Sequence, residues 1–164
     1  SAPNGYAWSV TILPLAASAT EEIPALDYVE SKITAVLNQE ESKNQFPAQE
    51  ALQYEQDYTA TIQLTHYDVT TLTYRSKSQK EQFAVFSEIY YKDGWNAYID
   101  GTLTPHVRVN YVLRGMEIPA GAHEIVFQFE PSVIQKGRVI SLLAYGLLLI
   151  VPIGWFSYQK KREN

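Results

Sequence analysis

The sequence predicts a mainly β fold: an antiparallel β-sandwich of jelly-roll type, with a short N-terminal helix and a C-terminal transmembrane helix. Three observations predict it. Roughly eight or nine short segments alternate apolar and polar residues, the period of a strand with one buried face. Turn sequences such as Asp93-Gly94, Asp100-Gly101 and Pro119-Ala120-Gly121 separate them at regular spacing, the texture of sandwiches and jelly rolls. Val139 to Tyr158 then carries no charged residue, and a helix of about 20 such residues spans the hydrocarbon core of a bilayer.

Taken in order, Trp8-Ser9-Val10-Thr11-Ile12 alternates as a strand. Thr20-Glu21-Glu22 reads as a helix start, with a hydroxyl N-cap and acids in the first turn. Pro24 keeps that helix short or displaced, and Ile23, Leu26 and Tyr28 are its expected anchors. Ile33 to Leu37 is β-branched and strand-like. Gln39 to Asp57 is polar and reads as a surface loop with a short helical turn near Ala48 to Tyr54.

Tyr58 to Thr65 alternates, Asp68 marks a turn, and Thr71 to Arg75 alternates again before a polar connection, Ser76 to Lys80. Phe83-Ala84-Val85-Phe86 is apolar on both faces, which marks a central strand. Trp95, Ala97 and Ile99 alternate with Asn96, Tyr98 and Asp100, and Asp100-Gly101 suits a primed hairpin turn. Val107 to Leu113 reads as one strand, and Ile125, Phe127 and Phe129 line the inner face of the last.

These segments give an outer domain over residues 1–135, a span over 136–158 and a basic tail over 159–164. Trp155 and Tyr158 stand where amphipathic rings favour the membrane interface, and Lys160-Lys161-Arg162 places that end in the cytoplasm and the β-domain outside. The competing reading is a buried C-terminal helix. Gly146, Pro152 and Gly154 burden it, whereas spans tolerate such residues. The chain opens without a signal peptide, so export requires a signal upstream of Ser1.

The 164 residues are 46% hydrophobic and 13% aromatic, which argues against disorder. A net charge of −5 with a basic tail leaves the β-domain acidic, which disfavours nucleic acid as a partner. With no cysteine there is no disulfide, thiol chemistry or thiolate-bound zinc. His66, His106 and His123 lie in separate segments without metal-motif spacing, so neither metal nor cofactor is expected. No nucleophile elbow, phosphate loop or dinucleotide fingerprint occurs. Asp93 and Asp100 form a conceivable carboxylate pair for glycoside hydrolysis, but each precedes a glycine, which is ordinary turn chemistry. No catalytic residue is assigned.

The ligand candidates are Tyr90, Tyr91, Trp95 and Tyr98, whose flat rings stack on sugars or pack at interfaces, although Trp95 also fits the core. Arg108 and Arg114 join them as forked donors for a carboxylate or phosphate, with a surface ion pair to Glu88 or Asp100 as the plainer use.

Four ordered strings carry a family resemblance: Phe86 to Tyr91, Gly94 to Gly101, Arg108 to Gly115 and Ile118 to His123. Together with Asn4-Gly5-Tyr6-Ala7-Trp8 and the closing apolar run, they resemble the C-terminal region of the YfhO family of bacterial integral membrane proteins. The resemblance implies a longer parent in the bacterial cell membrane. The parent's early helices would be similar to those of glycosyltransferases that use lipid-linked sugars, and its catalytic acid would lie in a loop outside this sequence. It further implies that this chain is a non-catalytic extracytoplasmic accessory domain, either binding cell-envelope glycan or packing on the parent's membrane core.

Overall fold

The computed structural model describes residues 5–46, 51–131, 137, 140–146, 148 and 150. Contacts divide the chain into two units between Glu130 and Pro131. The first unit contains, in order, β1 (Ala7–Val10), β2 (Ile12–Leu13), β3 (Leu15–Ala16), α1 (Ala19–Leu26), β4 (Leu37–Asn38), α2 (Gln39–Ser42), β5 (Leu52–Gln53), β6 (Thr61–Tyr67) and β7 (Thr71–Ser78). It continues with β8 (Gln82–Ile89), β9 (Trp95–Ile99), β10 (Thr102–Thr104), β11 (Val107–Val109), β12 (Leu113–Ile118) and β13 (Gly121–Phe129).

The strands form a six-stranded sheet ordered β1-β8-β12-β11-β4-β3, a five-stranded sheet ordered β10-β9-β13-β7-β6, and a small β2-β5 ladder. Every pairing between these strands is antiparallel except β3 with β4. The two large sheets face each other across one core. Leu72, Tyr74, Ala97, Ile99, Ile125 and Phe127 come from one sheet, and Ala84, Phe86, Met116 and Ile118 from the other. Tyr74, Phe86 and Phe127 meet edge to face, with Phe86 4.9 Å from each of the other two rings, the arrangement that ring quadrupoles favour.

The strand apolar on both faces is β8, which sits between β1 and β12. Alternate side chains point to opposite faces of a strand. Ala84 and Phe86 therefore enter the core between the sheets, while Phe83 and Val85 enter a second core on the other side of β8. Val10, Leu13, Ala35, Leu37 and Phe46 close that second core. The N-terminal segment thus covers the outer face of the six-stranded sheet. Gly115 on β12 is needed for this packing, because a Cβ there would come within 2.5 Å of the Phe83 ring.

Several local expectations are corrected. Val107 to Leu113 is a hairpin bend rather than one strand, because Asn110 and Tyr111 adopt φ of 49° and 69°. Asparagine tolerates this region, but a tyrosine there is strained. The bend is held from outside: Asn110 exchanges bonds with Val36, donating its N–H to the Val36 carbonyl at 2.9 Å and accepting the Val36 N–H on Oδ1 at 2.7 Å. Ile33 to Leu37 is strand only at its end, where β4 begins. Ser76 to Ser78 extends β7 instead of connecting.

Ser18, not Thr20, occupies the N-cap position of α1, and Pro24 lies inside that helix. Ile23 and Tyr28 are exposed, while the side chain the helix buries completely is Glu22. Within Gln39 to Asp57, α2 begins at once, with Asn38 Oδ1 accepting the Glu41 N–H at 3.2 Å as a cap. Phe46 is core, and Leu52–Gln53 is strand. Residues 48–50 of the expected helical turn lie outside the described residues.

One end of the sandwich gathers the Tyr90–Gly94, Asp68–Thr70 and Asn110–Val112 turns with the start of β1 and the finish of β13. Tyr90 N–H donates to Val112 O at 2.8 Å, Phe129 N–H to Thr70 O at 2.8 Å, Glu130 N–H to Gly94 O at 2.6 Å, and Ser87 N–H to Tyr6 O at 2.9 Å. The opposite end carries the Asp100-Gly101 turn, a true positive-φ pair at 50° and 79°, and the links from β7 to β8 and from β12 to β13.

In the second unit, residues 140–146 are helical. Among the described residues no helix is long and apolar enough to cross a membrane. Most of the span expected over 136–158, and all of the tail, lies outside the described residues.

Candidate functional site

Three of the six candidate residues border one cleft. Tyr90, Tyr91 and Arg108 line a space of about 710 Å³ together with Glu40, Glu41, Lys43, Asn44, Lys92 and Asp93. The Tyr90–Gly94 turn supplies one wall and α2 the other.

Arg108 is not free to meet a ligand. Its Nε donates to Glu41 Oε2 at 2.7 Å and its Nη2 to Glu41 Oε1 at 3.1 Å, a bidentate fork. Nη2 also lies 3.2 Å from Glu22 Oε2, Nη1 donates to the Tyr111 carbonyl, and the guanidinium stacks 5.2 Å from the Tyr111 ring. Burial works against this charge, but the Glu41 bonds and the charges of Glu22 and Glu41 outweigh it and raise its pKa. Buried Glu22 in turn accepts the strained Tyr111 N–H on Oε1 at 2.5 Å. The ion-pair partners are therefore Glu41 and Glu22, rather than the expected Glu88 or Asp100.

Tyr90 is half-buried, its ring 5.2 Å from that of His106. Burial, then the Glu41 charge, raises its hydroxyl pKa. Tyr91 is 53% exposed and is the most open aromatic of the set.

The other three candidates lie elsewhere. Trp95 is half-buried, tilted against Phe129 at 5.3 Å. The Arg114 guanidinium covers it at 4.3 Å and lies 5.1 Å from the Phe127 ring. Arg114 is 2% exposed. Its Nε donates to Ile89 O at 3.0 Å, and Nη1 is buried without a hydrogen-bond partner. Burial lowers its pKa, and the Glu88 charge opposes that only in part. Tyr98 donates its hydroxyl to Glu130 Oε2 at 2.7 Å, and Asn96 Nδ2 donates to the same oxygen at 2.8 Å. The six residues do not form one ligand surface.

The two candidate acids and two of the three histidines have surroundings of their own. Asp93 and Asp100 stand at opposite ends of β9. At ~3.3 Å per residue they are roughly 20 Å apart, well beyond the ~5–9.5 Å of a glycosidase pair. Asp100 accepts the Glu124 N–H on Oδ1 at 2.9 Å and meets His123 Nδ1 at 2.6 Å. The His123 bond, then that backbone bond, holds the Asp100 carboxyl below its usual range, and the same partner raises His123. His106 sits between Tyr90 and Phe127, with Nε2 unpartnered. Burial, then the Arg114 charge, pushes it down to about 4. Among the described residues no group of three or more His, Asp or Glu is placed to hold a metal ion.

Sequence reasoning names Glu22 and His106 without foreseeing how they pack, and it does not single out Glu41. Glu22 is legible only as a first-turn acid, and nothing local marks it as the buried partner of a strand 86 residues away.

The sequence profile of a family described as "Bacterial membrane protein YfhO" matches residues 15–141. No curated protein and no solved structure matches the chain.

Proposed function

Because the chain belongs to the YfhO family of bacterial membrane proteins, we propose that it is a non-catalytic extracytoplasmic domain that packs on the membrane core of a larger protein. The observation that carries this reading is the internal use of the ligand-ready groups. Arg108 is held by Glu41, Glu22 and the Tyr111 carbonyl, Arg114 by rings and one carbonyl, and Tyr98 by Glu130. Such a domain offers shape and surface rather than reactive groups. The uncharged run Val139 to Tyr158 supplies the span, and the basic residues after it set the sidedness. In the full family protein, a photo-crosslinking residue at Lys92 is expected to bond to another segment of the same protein.

A second reading has its own observation: exposed Tyr91 beside a cleft with the amide of Asn44 and the acid of Glu40. An aromatic face next to polar groups suits a sugar ring. Under this reading the domain positions cell-envelope glycan for chemistry done elsewhere in the parent. Titration of the full chain in detergent with envelope glycan fragments separates the two. Saturable binding that is lost in Tyr91→Ala overturns the packing reading, and absence of binding beside a Lys92 crosslink supports it.

A further inference from the structure

The two ends of the sandwich differ in what they expose. At the end where β1 starts and β13 finishes, the turns present Tyr67 and Val69, Ile89 and Tyr91, and Val112, with Tyr6 leading into β1; all six are exposed, Val69 to 85%. The opposite end presents Gln79, Asp100, Gly101, Thr102 and Ala120, with only Tyr58 and Leu103 as exposed large apolar side chains beside them among the described residues. Turn tips are normally polar, so β-branched aliphatics at two separate hairpin tips call for an explanation.

The mixture itself is informative. Three tyrosines with three aliphatics combine apolar bodies with polar tips, and the exposed Asp68, Lys92 and Asp93 stand between them as a polar rim with no excess of positive charge. That is the chemistry of the water–lipid boundary, where tyrosine is enriched. The path of the chain points the same way. Tyr6 and Glu130 both lie at this end, tied to Ser87 and Gly94. The described chain therefore enters and leaves the sandwich at the apolar end.

Resting on the reading that the domain belongs to a membrane-anchored protein, we infer that this end of the sandwich sits in the headgroup layer of the bilayer, with Val69, Ile89 and Val112 reaching toward the acyl chains. The occupant of the tips at Val69, Ile89 and Val112 is lipid, not a second protein, while Lys92 lines the cleft beside α2 and is left to the parent's own segments.

The chain has no cysteine, so introduced thiols are unique. Val69→Cys and Val112→Cys test the apolar end, and Gln79→Cys and Thr102→Cys the polar one. All four positions are exposed. Each variant of the 164-residue chain carries a polarity-sensitive fluorophore and is reconstituted into phosphatidylcholine–phosphatidylglycerol vesicles containing headgroup spin-labelled lipid. The expected result is co-flotation of all four, with blue-shifted, quenched emission at 69 and 112 and unquenched emission at 79 and 102. Co-flotation with quenching at neither end, or equally at both, overturns the placement while leaving membrane anchoring intact. Failure to float overturns the anchoring reading and the placement with it.

Discussion

Arg108 and Arg114 stand directly opposite each other on the β11–β12 hairpin. Facing residues of an antiparallel pair share one side of the sheet, so the two guanidiniums begin from nearly equivalent positions. Their surroundings then diverge. Arg108 lies toward the helices and collects two carboxylates and a carbonyl. Arg114 lies under the opposite sheet and collects ring faces and a single carbonyl. A carboxylate partner makes the first cation a lock between α1, α2 and a strained turn. The second is a cation accommodated by quadrupoles, with one donor still unmet. The difference teaches that an arginine in a β-sandwich is no pointer to a ligand until its own partners are counted.

The largest test of this contrast is Arg108→Met. It leaves Glu22 buried without its cation, and breaking such a pair costs ~3–5 kcal/mol. Urea unfolding of the full chain in detergent is expected to show a loss of that order, with loosening of the Asn110–Val112 turn.

His106 gives the next effect, through pH. Its folded pKa of about 4 lies below the unfolded 6.5, so as pH falls the unfolded state takes up the proton first. Stability is then full above 6.5 and declines toward 4, by ~2 kcal/mol after allowance for partial solvent access. His106→Phe is expected to flatten that slope. Arg114→Met is expected to raise the His106 pKa measured by NMR, since the Arg114 charge helps depress it. The His123–Asp100 pair runs the other way. His123 is raised by Asp100, so its contribution is present below 6.5 and lost as pH rises through the folded value; because the Asp100 side chain is half exposed, it is a shallow effect.

Arg114→Met by itself is expected to change stability by only ~1 kcal/mol in either direction, because it exchanges an imperfectly satisfied cation for an apolar chain of similar length. A loss as large as that of Arg108→Met would break the comparison. Smallest is Glu41→Gln, at ~0.5–1 kcal/mol, because this carboxylate is half exposed and Glu22 remains to hold Arg108.

Much of the β architecture was readable because it is written in local periods. Phe83 to Phe86 announces a strand buried on both faces, and it proves to divide two cores. Asp100-Gly101 announces a positive-φ turn and makes one. Asn110-Tyr111 announces nothing, because the tyrosine has no intrinsic preference for the left-handed region. It is held there by Val36 and Glu22, which are distant in sequence. The site fared less well for the same reason. Tyr90, Tyr91 and Arg108 do share a cleft, but the acids that occupy Arg108 come from two helices whose docking no spacing rule reveals. Burial of Glu22 is a tertiary property, invisible to a pattern that counts acids in a first turn.

The placement of Tyr6 and Glu130 at one end has a mechanical side. A pull that separates the two chain ends acts across the sandwich, not along its strands. It loads β1, an edge strand, from its first residue. Its ladder to β8 then opens like a zipper, one bond after another, instead of resisting as a set in shear. β1 becomes a weak link that yields at low force. Its departure uncovers Phe83 and Val85 beneath the N-terminal cover while the five-stranded sheet keeps its own register.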